Sequence, residues 1–575
     1  ISVGSPAERF DLKNQDSSYN DFYKKYKDRR HVVYVGANDG MLHAFNAGFF
    51  HQGDDSTTAN VVEHGWFTLT NGSETSKPLG EELWAFIPQE LLPHLKWLTG
   101  TDYDSSQHVY YVDGTPRIVD AQIFSADAIC ATDLSNSGCV HPNGWGTILI
   151  GSMRLGGGLL KTDLNGDGDT TDSGEDRFRS AYFAMDITNP EATPTLLWVY
   201  KEADLGFTTG WPSIMRFNST TWYLTFGSGP ISYKGERDKT NAPASANNKF
   251  ESTVSEYGQI YAVNLKTGAL IRKITLTDRY AFMGDSTVYD LPLNYVTDVF
   301  YIGETYYSSG WKGKMYRLLT YGNSDATTWV LSTFYNPGKP VTVKPTASMD
   351  KSNRLWVYFG TGRFFSGGAN SDQSDTSAQA MYGIKESGPN GCWNNGAWRT
   401  NCTNTVPSTA LLNTTNISVS VGGALSCASC GATTLDGLVS GVINPSSGEK
   451  EGWVIDLTNG ERVIVESTVL GGIVAATTYT PDTDVCASQG TNTLYAMYFE
   501  SGTAYSGSVI GVTGTTVNRT LSLGRGVASK VNVVVSKDTT TGFVQSSTGQ
   551  IVQIEGIKLA TSVQSGKRVF RDRAD

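Results

Sequence analysis

The chain has 575 residues, 62 of them glycine, and a formal net charge of −11. An acidic chain is unsuited to coating nucleic acid, because phosphate binding requires a basic surface. No apolar run approaches the roughly 18 residues that a membrane-spanning helix needs. The hydrophobic content of 39% is nevertheless enough for a large core.

Strand patterns dominate, and helical signals are few, the best being short ones at 20–28 and 89–98. A typical unit is an apolar alternation that ends in a small residue or glycine, then a turn, then a second strand. Seven such hairpins follow in chain order, at 31–47, 146–152 with 181–190, 222–229 with 258–268, 298–319, 355–363 with 380–385, 471–479 with 493–502, and 530–536 with 549–556.

A hairpin of this size buries too little surface to fold alone, so seven of them predict a radial array of four-stranded blades. We therefore expect an all-β fold, a modified seven-bladed β-propeller with long loop insertions and few short helices. A pair of β-sandwich domains is the alternative, which the regular recurrence disfavours. Tryptophans are expected to fill the core between blades, namely Trp84, Trp145, Trp198, Trp211, Trp222, Trp311, Trp356 and Trp453.

The hairpins are spaced more widely than the roughly 40–50 residues of a plain blade, which predicts long insertions. These are read as surface loops at 50–80, 161–179, 234–256 and 388–448. The predicted domain boundaries are an N-terminal extension at 1–30, the propeller at 31–505, and C-terminal strands plus a tail at 506–575.

Two cysteine pairs are local in sequence. Cys130 and Cys139 lie nine residues apart, and Cys392 and Cys402 lie ten apart, in segments rich in Ser, Asn and Gly. Short loops of this kind suit disulfides in an oxidising compartment, the alternative being free thiols in the cytosol.

The remaining cysteines are Cys427 and Cys430 in "CASC", and Cys486 downstream. A second CxxC that would complete a zinc site is missing from the sequence. We expect Cys486 to pair with Cys427 or Cys430, which leaves one cysteine over.

The segment "KTDLNGDGDTTDSGEDR" at 161–177 carries the most specific motif. Oxygen donors at Asp163, Asn165 and Asp167 alternate as in an EF-hand loop, and Gly168 stands at the sixth position, where a sharp turn is needed. Asp169 follows at the seventh position, which offers a backbone carbonyl.

The carboxylate that closes the loop is ambiguous. The twelfth position is Gly174, Glu175 is one later, and Asp172 is at the tenth. Acids this dense repel one another without a cation, and a hard ion with six to eight oxygen ligands favours calcium over magnesium. The alternative is a solvated acidic turn. Flanking helices are not evident, so the loop is expected to join two strands.

The strings "VVYVGANDGMLHAFNA", "YYVDGTPRIVDAQIF", "WGTILIGSMRLGGG" and "LWVYFGTGR" resemble the C-terminal domain of PilY-type proteins, the type IV pilus tip-associated proteins related to neisserial PilC. The resemblance extends from about residue 30 to about residue 500. It implies a modified seven-bladed β-propeller with an EF-hand-like calcium loop between blade strands.

The resemblance also implies one Ca²⁺ and its ligands, which are Asp163, Asn165, Asp167, the carbonyl of Asp169, and Asp172 as the closing carboxylate. The family's closing Asp commonly falls eight residues after the first ligand, where this chain has Thr171. A one-residue insertion is therefore implied, and Glu175 is the alternative closing ligand.

The functions implied by the resemblance are pilus biogenesis with minor pilins at the pilus tip, calcium control of extension and retraction, twitching motility, virulence, and adhesion to host or abiotic surfaces. The implied location is the bacterial cell surface, at the tip of the fimbrium or with the outer membrane. The chain has no Arg-Gly-Asp triplet, so the integrin-type motif of some members does not carry over.

Two other functions compete with this non-enzymatic one. The string "GQIYAVNLKTGALI" resembles quinoprotein repeats, but the chain has no adjacent cysteines and its acids cluster in an insertion. A generic glycan- or protein-binding propeller would use exposed aromatics, for which Tyr306, Tyr307, Trp393 and Trp398 are candidates. All seven histidines lie in the first quarter without a metal-type spacing, which favours a structural role.

Overall fold

The computed structural model describes residues 1–59, 65–72, 75–101, 103, 108–158, 160, 162–169, 172, 178–232, 255–365, 372–427, 430–443, 450–482, 490–507, 509–535 and 540–554. They form two compact units. The first comprises Ile1–Thr277 and Asn294–Val296, and the second comprises Asp278–Leu293 and the described residues from Thr297 onward.

The first unit contains three four-stranded sheets within its described residues. In spatial order, the first sheet is Ser2–Val3, Val32–Gly36, Leu42–Asn46 and Glu82–Phe86; the second is Thr195–Tyr200, Tyr182–Asp186, Trp145–Ser152 and Arg117–Gln122; the third is Ser213–Arg216, Trp222–Gly227, Tyr257–Asn264 and Leu270–Arg279. A separate hairpin pairs Phe49–Gln52 with Gly65–Thr68.

The second unit contains four sheets of three to five strands, again among described residues. In spatial order, the fourth sheet is Ala281–Tyr289, Val299–Tyr307, Trp311–Leu319 and Val330–Tyr335; the fifth is Thr346–Met349, Leu355–Gly360, Gln379–Lys385, Gly452–Leu457 and Leu411–Asn413; the sixth is Thr468–Leu470, Ile473–Thr480, Thr491–Tyr498 and Thr520–Arg525; the seventh is Asn532–Val535, Thr540–Gln545 and Ile551–Ile554. Two-residue ladders pair Trp393–Asn394 with Ala397–Trp398, Ser418–Val419 with Leu425–Ser426, and Val512–Thr513 with Thr516–Val517.

Both predicted helices are present. The first is an α-helix, Ser17–Tyr26, which Asp16 caps by accepting the N–H groups of Ser18 and Tyr19. The second is a 3₁₀ helix, Gln89–Thr99, with Pro93 inside it. The other described helices are Phe10–Lys13, Ala128–Ala131, Pro142–Gly144, Ala203–Leu205, Ala326–Thr328, Ser408–Ala410, Leu435–Leu438 and the π-helix Val439–Ile443. Among the described helices, we find none with the length and apolar character of a membrane span.

Six of the seven predicted hairpins pair as expected, each inside one sheet. The seventh prediction is wrong in its pairing. Strands Asn532–Val535 and Ile551–Ile554 share a sheet, but Thr540–Gln545 lies between them and pairs with both. The middle strand reads "TTGFVQ", whose threonines and glycine weaken the apolar alternation that marks a strand.

Two predicted insertions contain regular structure. The 50–80 segment includes most of the hairpin Phe49–Gln52 with Gly65–Thr68. The 388–448 segment supplies Leu411–Asn413, which joins the fifth sheet parallel to Gly452–Leu457. The loop assignment is therefore wrong in these parts, because polar composition concealed short strands. Most of 234–256 lies outside the described residues.

One apolar core of the first unit joins the second and third sheets to the helix Ser17–Tyr26. Trp145 is fully buried and contacts Tyr19 edge-to-face, with ring centroids 5.0 Å apart. Its indole N–H donates to Ser18 Oγ at 2.9 Å. Of the eight tryptophans predicted for the core, Trp84, Trp211 and Trp311 are only half-buried and the others are buried.

The disulfides Cys130–Cys139 and Cys392–Cys402 are confirmed, with Cα–Cα distances of 4.9 and 5.7 Å. The third prediction is wrong, because Cys427 pairs with Cys430, whose Cα lies 5.9 Å away. That Cα–Cα distance is within the range a disulfide requires. Residues three positions apart in sequence are also necessarily close in space. Cys486 lies outside the described residues.

Candidate calcium loop

The candidate loop is inserted between two central strands of the second sheet, Trp145–Ser152 and Tyr182–Asp186, as predicted. Its two ends are held together by an antiparallel bridge between Leu160 and Phe178, where the Leu160 N–H donates to the Phe178 carbonyl at 3.0 Å. The loop therefore begins and ends at a fixed place on the sheet.

Asp163 organises the first half of the loop. Its carboxylate accepts the backbone N–H of Gly166 at 2.6 Å and that of Gly168 at 2.9 Å. Both glycines have positive φ, 80° and 95°, which glycine adopts without a Cβ clash. The N–H groups of Gly168 and Gly166 hold the pKa of Asp163 below its ordinary value, since they favour the charged form.

Three carboxylates converge in the second half of the loop. One oxygen each of Asp167, Asp169 and Asp172 lies within 4.8 Å of the others, and all three residues are exposed. The Asn165 amide donates to Asp167 Oδ2 at 3.0 Å and to Asp172 Oδ2 at 2.7 Å. This N–H₂ group therefore supplies partial positive charge between two carboxylates.

The pKa of Asp167 is also lowered, first by the N–H of Asp169 and then by the Asn165 amide. A carboxylate with a lowered pKa stays ionised at neutral pH and keeps its oxygens available. The donor set is thus carboxylate and amide oxygen on a tight turn, which is the chemistry that Ca²⁺ prefers. The residues present fit that ion.

Of the five predicted ligands, the structure brings Asp167, Asp169 and Asp172 together. Asp163 and Asn165 lie beside them and bond to the loop backbone and to the acids. The assignment of ligands stays a prediction, and Glu175 lies outside the described residues. Sequence reasoning missed that Asn165 can bridge the acids by its amide, because the motif treats it as an oxygen donor only.

Several histidines have structural partners, in line with the structural role expected of them. His43 lies between two carboxylates, 2.9 Å from Asp39 Oδ2 and 2.6 Å from Glu82 Oε1. The ring of His141 lies 2.9 Å from Asp186 Oδ2.

The aromatic residues considered for glycan binding are not all exposed. Trp393 is 1% exposed and packs edge-to-face on Trp398, so its proposed surface role is wrong. Trp393 lies in a core cluster of the second unit together with Cys392 and Cys402, which form a disulfide. Tyr307 is 48% exposed.

Comparison with known proteins gives concordant results. A sequence model of the PilY1 beta-propeller domain matches residues 11–409. The type IV pilus biogenesis factor PilY1 of Pseudomonas aeruginosa PAO1 is 26% identical over 514 residues, which cover 84% of this chain and 35% of that protein. A PilY1 homolog of Xylella fastidiosa is 25% identical over 499 residues, covering 84% of this chain and 30% of that protein.

The chain thus spans about a third of the length of the curated relatives it matches. Among solved structures, the P. aeruginosa PilY1 C-terminal domain superposes with a TM-score of 0.60 at 20% identity, covering 97% of this chain and 99% of that domain. With the seven sheets described above, these matches show that the fold is the predicted β-propeller.

Proposed function

Because the chain belongs to the PilY1 β-propeller family, we propose that it is the propeller module of a type IV pilus biogenesis factor, and that its 161–179 loop binds one Ca²⁺. The module works without catalysis, at the tip of an exported surface pilus. Its partners are minor pilins and, through other parts of the full protein, host or abiotic surfaces.

The observation that carries the calcium proposal is the convergence of Asp167, Asp169 and Asp172 within 4.8 Å on an exposed loop. Like charges this close repel one another, and the Asn165 amide offsets only part of that repulsion. A divalent cation replaces the amide, which then turns its oxygen toward the ion. Asp163 and the backbone carbonyl of Asp169 complete the oxygen ligands, beside the carboxylates of Asp167 and Asp172.

The physical consequence is an ordered surface. Because the bridge between Leu160 and Phe178 already fixes the ends of the loop, calcium needs to order only the residues between them. That ordered surface contacts a pilus partner, and loss of the ion weakens the contact through the cost of ordering the loop again. Calcium occupancy thereby controls extension and retraction.

The first experiment is calorimetric titration of the chelator-stripped protein with calcium and, separately, with magnesium. The test variant is Asp167→Asn, which keeps an oxygen for the N–H of Asp169 but removes a charge. We expect one calcium-selective site in the wild type, weakened at least about tenfold in the variant, since each 1.4 kcal/mol is a factor of about ten. Limited proteolysis should show calcium protecting the loop.

The matched control is Asp325→Asn. Asp325 is likewise an exposed turn residue, and its Oδ1 accepts the N–H of Thr327 at 3.0 Å, outside the candidate loop. Calcium binding should be unchanged in this control. Calcium binding that survives Asp167→Asn would reduce the loop to a solvated acidic turn.

The pilus part of the proposal has its own test. A piliated bacterium lacking its own copy of the full-length factor is complemented with wild type, Asp167→Asn or Asp325→Asn. Pili and twitching motility should return with the wild type and the control. We expect the Asp167→Asn strain to assemble or retract pili abnormally; normal pili and motility there would separate calcium binding from pilus function.

A further inference from the structure

A buried histidine joins the base of the calcium loop to a neighbouring helix. We call residues 156–158 and 178–180 the stem, since they lead into and out of the loop. His94, in the 3₁₀ helix Gln89–Thr99, is 1% exposed, and its Nε2 lies 3.2 Å from the Gly158 carbonyl oxygen. Gly158 precedes by two residues the Leu160 bridge that closes the loop.

The protonation of His94 is set by its surroundings. Burial lowers the pKa of His94 to about 4, so the ring is neutral at physiological pH. Its Nδ1 has no hydrogen-bond partner among the described residues. A neutral ring whose Nε2 faces a carbonyl carries its proton on Nε2, and His94 is therefore the donor to Gly158.

A second contact reinforces the first. The Tyr111 hydroxyl donates to the His94 carbonyl at 2.9 Å. A Cβ placed on Gly156 would lie 1.9 Å from the Tyr111 carbonyl oxygen, so the stem backbone packs directly on this residue. Tyr111 is fully buried. Helix, Tyr111 and stem are therefore one packed unit.

The opposite side of the same helix faces solvent. Leu92 is 49% exposed, and Lys96 is also exposed. These exposed residues of the helix form a surface that is distinct from the loop itself. A packed element with one face on a ligand-binding loop and one on solvent can carry coupling between two sites.

We propose that His94 is a positioning residue that couples calcium occupancy of the loop to the helix Gln89–Thr99. The inference rests on the proposed function, since it requires that the loop binds calcium. Calcium orders the loop and stiffens the stem, the Gly158 carbonyl then holds the His94 N–H more firmly, and the helix opens less often. By reciprocity, whatever stabilises the helix strengthens calcium binding by the same factor.

Two substitutions separate the hydrogen bond from the packing. His94→Leu keeps most of the volume and loses the donor. His94→Gln keeps an N–H in nearly the position of Nε2. The control is His141→Leu, because His141 contacts Asp186 at 2.9 Å, at the end of strand Tyr182–Asp186 remote from the loop.

Calcium titration and hydrogen exchange of the helix amides are measured on the full chain. In the wild type we expect calcium to slow exchange in the helix about fivefold, which corresponds to one hydrogen bond of about 1 kcal/mol. His94→Leu should bind calcium about fivefold more weakly and lose the exchange effect. His94→Gln should restore both, and His141→Leu should leave both unchanged.

The outcomes are distinguishable. A wild type that binds no calcium overturns the proposed function and this inference together. A wild type that binds calcium while its helix exchange stays unchanged overturns the inference alone, whether or not the variants fold. Equal effects of His94→Leu and His141→Leu would indicate general destabilisation of the second sheet and would also overturn it.

Discussion

Glu304 lies in strand Val299–Tyr307 of the fourth sheet with its side chain fully buried. Its Oε2 accepts the Tyr316 hydroxyl at 3.2 Å. Burial, and then the negative charge of Asp278, raise the pKa of Glu304 to about 8, although Lys314 opposes them. Glu304 is therefore held neutral near physiological pH.

The effect on stability follows from linkage. Between the ordinary pKa of 4.5 and about 8, the folded state keeps the Glu304 proton and the unfolded state releases it. Stability therefore falls as pH rises through this window. At about 1.4 kcal/mol per pKa unit, the penalty is about 3 kcal/mol at neutral pH and under about 1 kcal/mol near pH 5.

Glu304→Gln removes the ionisation. The glutamine oxygen still accepts from Tyr316, and its amide group, like the protonated carboxyl, carries no charge. The variant should exceed the wild type by under about 1 kcal/mol near pH 5 and by up to about 3 kcal/mol at neutral pH. The measurement is the free energy of unfolding of the full chain in denaturant at each pH. Hydrogen exchange of the amides in the fourth sheet reports the unfolding of the second unit.

The same difference between variant and wild type at both pH values would refute a raised pKa at Glu304. Asp325→Asn is the control for charge removal. The side-chain and backbone hydrogen bonds of Thr327 lower the pKa of Asp325, so its contribution is complete above its ordinary pKa of 3.8 and is lost only as pH falls further. Its effect should therefore be constant between pH 5 and neutrality.

Two further predictions concern the first unit. Gly156→Ala should destabilise it by about 1–3 kcal/mol, because the new methyl group meets the backbone oxygen of Tyr111 and only a backbone shift can relieve the contact; a melting temperature equal to that of the wild type would contradict this. Burial opposes charge on His43, but hydrogen bonds to Glu82 and Asp39 outweigh it and raise the His43 pKa. The stabilisation from His43 should be complete below its ordinary pKa of 6.5 and be lost as pH rises through the folded value, and melting curves of His43→Gln should lack that slope.

Six of the seven hairpins were predictable because their strands either are buried on both faces, which demands long apolar runs, or alternate buried and partly exposed positions, as Leu42–Asn46 does. Strand Trp145–Ser152, for instance, is buried at every position. The strand Thr540–Gln545 could not be predicted in the same way. It begins with two threonines and Gly542, and only two apolar residues follow, which is too short an apolar run to indicate a strand. The strand is positioned by backbone pairing with Asn532–Val535 on one side and Ile551–Ile554 on the other.

The motif of the candidate site could be predicted from the sequence, but the contacts between the loop and the rest of the fold could not. Alternating oxygen donors and Gly168 are visible in the sequence because an EF-hand-like loop is local. The contact of His94 with Gly158 joins residues 64 positions apart, and no pattern in either segment indicates it. The disulfide between Cys427 and Cys430 was missed for the opposite reason, because the prediction preferred a distant partner, Cys486, to a near one.

The bridge between Leu160 and Phe178 makes the candidate loop a site where another loop can be inserted. Because the sheet holds both ends of the loop together, residues 161–177 can be exchanged for a loop of other length or ion preference at little cost to the strands on either side. A lanthanide-binding loop grafted there would make the propeller luminescent, so that its position could be followed by microscopy.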